Sequence, residues 1–102
     1  MKTQAGYEFQ TYEVSGPELR IHWDIQEVEG GWEAQEALCN RYDTRDVLIE
    51  KIIGAVYSPS AEIATINNKE DKPEKYAEYQ AFRTQAKALA DGWIAVKDTQ
   101  IA

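Results

Sequence analysis

The chain has 102 residues, of which 43% are apolar and 28% are charged, a composition typical of a globular domain rather than of a disordered or fibrous chain. Its 18 acidic residues outnumber its 11 basic residues, and the net charge of −7 disfavours direct binding to nucleic acid or to anionic lipid. This length predicts one domain, residues 1–102, with one core.

Cysteine content and hydropathy indicate the compartment. The single cysteine, Cys39, excludes an internal disulfide, and the first residues are not followed by the apolar stretch of a signal peptide. The most apolar segment, residues 52–57, is far shorter than the roughly 20 residues that span a bilayer. We therefore expect a cytoplasmic protein without a membrane span.

The first part of the chain has the pattern of β-strands. Residues 7–14 are rich in aromatic and β-branched side chains and precede a turn-forming cluster at residues 15–17, which predicts a short strand. Apolar and polar residues then alternate over residues 19–26, which predicts a second strand. One face of it carries Leu19, Ile21, Trp23 and Ile25, and the other carries Arg20, His22, Asp24 and Gln26.

A glycine pair follows this strand and predicts a hairpin. Gly30 and Gly31 can both take the positive φ that a two-residue type I′ turn requires, so residues 32–40 are expected to return antiparallel, although residues 33–38 have good helix propensity. The strand is preferred because the glycine pair is the more specific signal.

The register of this hairpin determines which side chains meet. Pairing around Gly30 and Gly31 places Trp23 opposite Leu38 and His22 opposite Cys39. The same register places Ile25 opposite Glu36, and the alternation slips at Val28, which indicates a bulge.

The second half has the pattern of helices. The first is predicted to begin after a cap at Asp43 or Thr44 and to be the most buried element, because apolar residues recur on a wide face up to residue 57. The second is expected over residues 59–67, with Ser58 as its cap and with Ile63 and Ile66 buried.

A third helix is predicted from Pro73, with a stop at Gly92. Residues 93–96 are expected either to extend it or to add an edge strand. These elements predict an α+β fold, in which an N-terminal antiparallel hairpin or three-stranded meander is followed by two to three helices packed on one face.

The predicted register suggests a site for a metal or a reactive thiol. His22 and Asp24 share a strand face and Cys39 lies opposite His22, so these three residues are candidate zinc ligands or a cysteine nucleophile with its base. The competing interpretation is a solvated strand face and a small buried cysteine, which is the more frequent arrangement. Because no motif for nucleotides, acyl transfer, calcium or zinc is present, we predict no catalytic residue, no metal and no cofactor.

Aromatic residues indicate a second kind of site. Tyr76, Tyr79 and Phe82 recur at helical spacing and Trp93 follows, a pattern typical of a core face but also of interface hot spots. We take Tyr76, Tyr79 and Trp93 as the candidate interaction surface. A protein partner or self-association is expected.

Three segments, residues 42–53, 57–64 and 72–83, resemble small uncharacterised proteins encoded by prophages and other mobile elements, often near tail or assembly genes. The resemblance covers about half of the chain and implies an accessory or assembly role without catalytic residues. The N-terminal third does not share it.

The sequence thus predicts a non-enzymatic protein-interaction or assembly accessory domain, related to phages by the resemblance. One alternative is an acidic inhibitor that imitates DNA, since the carboxylates are numerous near the hairpin. The other is a small metal or thiol enzyme that uses His22, Asp24 and Cys39.

Overall fold

The computed structural model describes the backbone of residues 1–100 and the side chains of residues 1–97. A four-stranded antiparallel sheet precedes three helices, so the predicted α+β class is confirmed, with four strands in place of the two or three expected. The strands are β1 (Lys2–Ala5), β2 (Tyr12–Ser15), β3 (Glu18–Val28) and β4 (Gly31–Asn40), and the helices are α1 (Arg45–Gly54), α2 (Pro59–Asn67) and α3 (Pro73–Gln100).

The strand order across the sheet is β1-β4-β3-β2, so the two long strands lie in the centre and the two short ones at the edges. The strand predicted over residues 7–14 is wrong in extent, since only Tyr12–Ser15 pairs with β3. Residues 6–11 instead join β1 at one edge to β2 at the other. To do so they cross one face of β4 and β3, and we call them the crossing segment.

The β3–β4 hairpin has a different register from the predicted one. Its turn has Glu29 and Gly30 at the centre, and His22 pairs with Glu36 rather than with Cys39. Gly30 has φ 86° and Glu29 does not have positive φ, which matches the sign pattern of a type II turn and not of type I′. Gly31 belongs to the strand, where a Cβ would overlap the backbone oxygen of Ala5 in β1. The glycine pair therefore serves a turn and a close strand contact, not a turn alone.

A β-bulge in β3 shifts the pairing with β4 by one further residue. Asp24 and Ile25 of β3 stand opposite Ala34 alone, between the pairs Trp23–Gln35 and Gln26–Glu33. Asp24 has φ 51°, the left-handed region that aspartate tolerates better than most residues. The bulge reverses the side to which the following residues of β3 point. The prediction that Ile25 shares a face with Trp23 is therefore wrong.

The core lies between the helices and one face of the sheet. Leu19, Ile21 and Trp23 of β3 contribute to it, together with Ala37 and Cys39 of β4. The helices supply Leu48, Ile52, Ile53, Ala86, Ala90 and Trp93. Burying a large apolar side chain stabilises a fold by about 1.5–3 kcal/mol, so this cluster holds α1 and α3 against the sheet.

Local signals fix the starts of α1 and α2 as predicted. The Thr44 hydroxyl accepts a hydrogen bond from the Val47 amide, and the Ser58 hydroxyl accepts one from the Ala61 amide. The prediction that α2 buries its isoleucines is wrong, since Ile63 is 60% exposed and no residue of this helix is buried.

The third helix does not stop at Gly92 but continues through residues 93–96, so of the two alternatives for that stretch the helix is confirmed. Gly92 faces Tyr12 of β2, whose hydroxyl donates a 2.6 Å hydrogen bond to the backbone oxygen of Leu89. A Cβ at Gly92 would overlap that hydroxyl oxygen. The glycine is therefore a site of close approach between helix and strand.

Replacing Gly92 with alanine tests this contact. Alanine ordinarily stabilises a helix by about 1 kcal/mol relative to glycine, but here we expect Gly92→Ala to lower the free energy of unfolding by about 1–2 kcal/mol in urea titrations. The matched control is Gly54→Ala at the end of α1, where a Cβ would meet nothing within 4 Å and stability should stay equal or rise. Gly92→Ala should lower the free energy of unfolding by less in a Tyr12→Phe background, because the hydroxyl oxygen that the new Cβ would overlap is then absent. An equal gain from both alanines would contradict the account.

Candidate functional site

The predicted constellation of His22, Asp24 and Cys39 does not form. Cys39 pairs with Leu19 and lies in the core beneath the helices, whereas His22 lies on the opposite face of the sheet. Asp24 is exposed in the bulge. Within the described part of the chain, no three His, Cys, Asp or Glu residues come together in a way that would hold a metal ion. The predicted register was wrong by three positions at His22, and the convergence depended on it.

The Cys39 thiol is a poor nucleophile in this fold. Burial raises the pKa of Cys39 to about 11, so the group is a neutral thiol at physiological pH. Because the thiolate is the nucleophilic form, this cysteine has the character of a small core residue.

The predicted aromatic surface is largely internal. Tyr79 and Trp93 have no exposed surface, and Tyr76 is half-buried. The Tyr79 hydroxyl donates a hydrogen bond to the Glu62 carboxylate of α2, and burial raises the pKa of this tyrosine to about 12. Tyr79 joins α2 to α3, and Trp93 packs in the core beside Tyr12 of β2, so neither side chain is available to a partner in this fold.

The crossing segment is fastened to the sheet through His22. The His22 amide donates to the Thr11 carbonyl at 2.8 Å, and the imidazole Nδ1 donates to the Gln10 carbonyl, also at 2.8 Å. The Phe9 ring lies over the imidazole with the ring centroids 4.6 Å apart, and Phe9 is buried. The histidine therefore holds three consecutive residues of the segment against the sheet.

The other nitrogen of the imidazole faces a buried carboxylate. His22 Nε2 lies 2.9 Å from Oε2 of Glu36, and both side chains are almost fully buried. A backbone carbonyl accepts only, so Nδ1 carries a proton, and a second proton lies between Nε2 and Oε2. Two further charged groups border the pair: the Glu13 carboxylate 3.7 Å from Nδ1 and the Arg20 guanidinium 3.9 Å from Glu36. We call His22, Glu36 and the Gln10 carbonyl the clasp.

A groove opens beside the clasp, between the crossing segment and the sheet. Its walls are residues 8–11 on one side and Ile25 and Trp32 on the other, and its volume is about 530 Å³. Trp32 stands opposite Glu27 in the hairpin, and the bulge turns Ile25 to the same face. The groove thus combines two half-buried apolar side chains, the buried ring of Phe9 and polar backbone groups.

The outer edge of β3 runs along this groove without a neighbouring strand. β2 pairs with β3 only over Glu18–Ile21, and the last contact on that side is the bond from the His22 amide to Thr11. From Trp23 to Val28 the structure describes no strand on the outer side of β3. These six residues extend for roughly 20 Å at about 3.3 Å per residue.

Negative charge is concentrated in the same half of the chain. Residues 1–40 contain eight acidic and two basic residues, whereas residues 41–102 contain ten and nine. Glu18, Glu33 and Glu36 form ion pairs with cations of this chain, which does not favour a DNA mimic with a continuous row of free carboxylates. Glu8, Asp24, Glu27 and Glu29 are exposed around the groove and the hairpin tip.

Comparison with known proteins gives no match to a family model, to a curated protein or to a solved structure. The helices within residues 1–100 include none with the length and apolar character that crossing a membrane requires. The groove, the clasp and the open strand edge are therefore the features from which function is inferred.

Sequence reasoning identified His22 but missed Phe9, Ile25 and Trp32 as members of one site. The signal was present in the conflict between Ile25 and Glu36, because an isoleucine directly opposite a glutamate indicates a wrong register. Moving the turn back by one residue and placing the bulge after Trp23 removes that conflict.

The clasp makes a stability prediction with an internal control. His22→Leu leaves the Glu36 carboxylate buried without its partner and should lower the free energy of unfolding by about 3–5 kcal/mol. The double variant His22→Leu/Glu36→Leu removes both polar groups and should recover most of that loss in urea titrations. Arg20→Leu, at an exposed neighbour of the same carboxylate, should change the free energy of unfolding much less than His22→Leu does. Equal losses in the single and double histidine variants would contradict the clasp.

Proposed function

We propose that the chain is a non-enzymatic protein-interaction domain, and that the groove with the open edge of β3 is its contact surface. The observation that carries the proposal is the unpaired outer edge from Trp23 to Val28 beside apolar side chains. Backbone donors and acceptors at such an edge pair with an extended segment of another chain, while a neighbouring groove takes its side chains.

Natural sheets protect their open edges from unwanted pairing. The open edge of β3 has features that hinder its pairing with the same edge of a second copy. A bulge and charged residues hinder the pairing of two identical edges, and both are present here, in Asp24, Glu27 and Glu29. The charges repel an identical edge, whereas a segment of opposite charge would not meet that repulsion. A different protein is therefore the preferred partner for this edge.

The assembly accessory role implied by the resemblance to prophage proteins agrees with such a surface. Such a role needs no reactive group, and the only cysteine of this chain is a buried neutral thiol. The proposed partner is a protein, and the proposed compartment remains the cytoplasm.

A second exposed apolar surface lies on α2. Ile63 and Ile66 are 60% and 39% exposed and stand three residues apart, on one side of the helix. The groove is preferred because it offers unpaired backbone groups as well as apolar side chains, and α2 provides the comparison position in the experiment.

Site-specific photo-crosslinking tests the proposal. A photoreactive amino acid replaces Gln10 in the wall of the groove, Ile63 on α2, or Glu78 on the exposed side of α3, and each variant is irradiated in the lysate of the host organism. We expect one discrete protein adduct from position 10 and none from position 78. A product from position 63 alone would contradict the groove as the contact surface, and no product from either site would contradict the interaction function.

A further inference from the structure

The charges around the groove identify the chemistry of its partner segment. We infer that the groove binds an extended, basic segment of a partner protein, which adds as a strand to the outer edge of β3 and places an apolar side chain beside Ile25, on the face that also carries Trp32. This inference rests on the proposed interaction function and names the class of segment that the site accepts.

The face of the sheet specifies the pattern of that segment. Ile25, Glu27 and Trp32 lie on the groove face, because Glu27 pairs with Trp32 and is two residues from Ile25. An added strand also points alternate side chains to this face. A segment that places an apolar side chain near Ile25 therefore places the side chain two positions away near Glu27. A lysine or arginine at that position meets an exposed carboxylate.

The acids at this site are free to receive such cations. The structure gives ion pairs to Glu18, Glu33 and Glu36, whereas among the described side chains Glu8, Asp24, Glu27 and Glu29 have no salt bridge to a cation of this chain. Complementary charge raises the rate of association and fixes the register of the bound segment.

The same charges exclude a second copy as the occupant. Two β3 edges paired antiparallel would bring Asp24, Glu27 and Glu29 of one chain against the same residues of the other, and like charges on neighbouring strands are destabilising. Nucleic acid is excluded by the same sign of charge.

Synthetic peptides test the inference on the purified full-length chain. The probe is the capped heptapeptide Thr-Lys-Thr-Val-Thr-Lys-Thr, which presents valine and both lysines on one face and reads the same in either strand direction. We expect it to shift the NMR signals of the Trp32 indole and of the amides of residues 24–28, and to protect from hydrogen exchange those of these amides that point to the open edge. Binding should weaken as salt increases, since the charges are exposed.

Three control peptides separate the contributions of charge, side-chain alternation and backbone hydrogen bonds to binding. Glutamates in place of both lysines should abolish binding through charge, and valine moved by one position should weaken it through the alternation of faces. N-methylation of the valine and of the threonines beside it should abolish binding by removing backbone donors. Equal binding of the acidic or the N-methylated peptide would overturn the inference.

Charge reversal in the chain gives a matched pair of variants. Glu27→Lys should weaken the basic peptide about 10-fold, which corresponds to about 1.4 kcal/mol, while Glu74→Lys, an equally exposed acid in the first turn of α3, should change it less than 2-fold. Equal effects of the two reversals would show attraction to net charge alone and overturn the inference. Absence of peptide binding, with a crosslinked partner still found at position 10, would overturn the basic strand while leaving the interaction function standing.

Discussion

A β-bulge decides which side of the sheet the end of β3 belongs to. Two residues of β3, Asp24 and Ile25, stand opposite Ala34 alone, and Asp24 takes a left-handed backbone conformation there. Trp23, just before the bulge, packs beneath the helices, whereas Ile25, the second residue of the bulge, lines the groove on the opposite face. An unbroken strand would point Ile25 at the helices and take away one wall of the groove. The bulge therefore brings Ile25 and Trp32 together on the face of the sheet that the helices do not cover.

The crossing segment covers part of the face of the sheet opposite the helices. One imidazole bonds both to this segment, at Gln10, and to the central strand β4, at Glu36. A buried, hydrogen-bonded pair of titratable side chains is a poor source of stability compared with apolar packing, but removing one partner is costly, so the pair tolerates few alternative arrangements. The position of the segment, and with it the wall of the groove, thus depends on a single side chain. The same segment ends where β2 begins, which leaves the rest of the β3 edge open.

The predictions from sequence were accurate where local chemistry decides the structure. The caps at Thr44 and Ser58 and the helix starts at Pro59 and Pro73 follow from side chains within a few residues, and all were confirmed. Contacts between distant residues decided the rest. Gly31 serves the approach of β1, and Gly92 serves the approach of Tyr12, so neither glycine has the local meaning that its pattern indicates. Strand β1 has no alternation by which to recognise it, and His22 was identified with a wrong partner because the register was wrong.

The functional proposal depends on the geometry around the bulge, because only a reversed Ile25 joins Trp32 and Phe9 in one groove. The most direct measurement is a set of nuclear Overhauser contacts from the methyl groups of Ile25 in solution. The account predicts contacts with protons of Phe9 and Trp32. Contacts with Phe82 of α3, which packs against Trp23 on the core face of the sheet, would place Ile25 in the core and contradict the account.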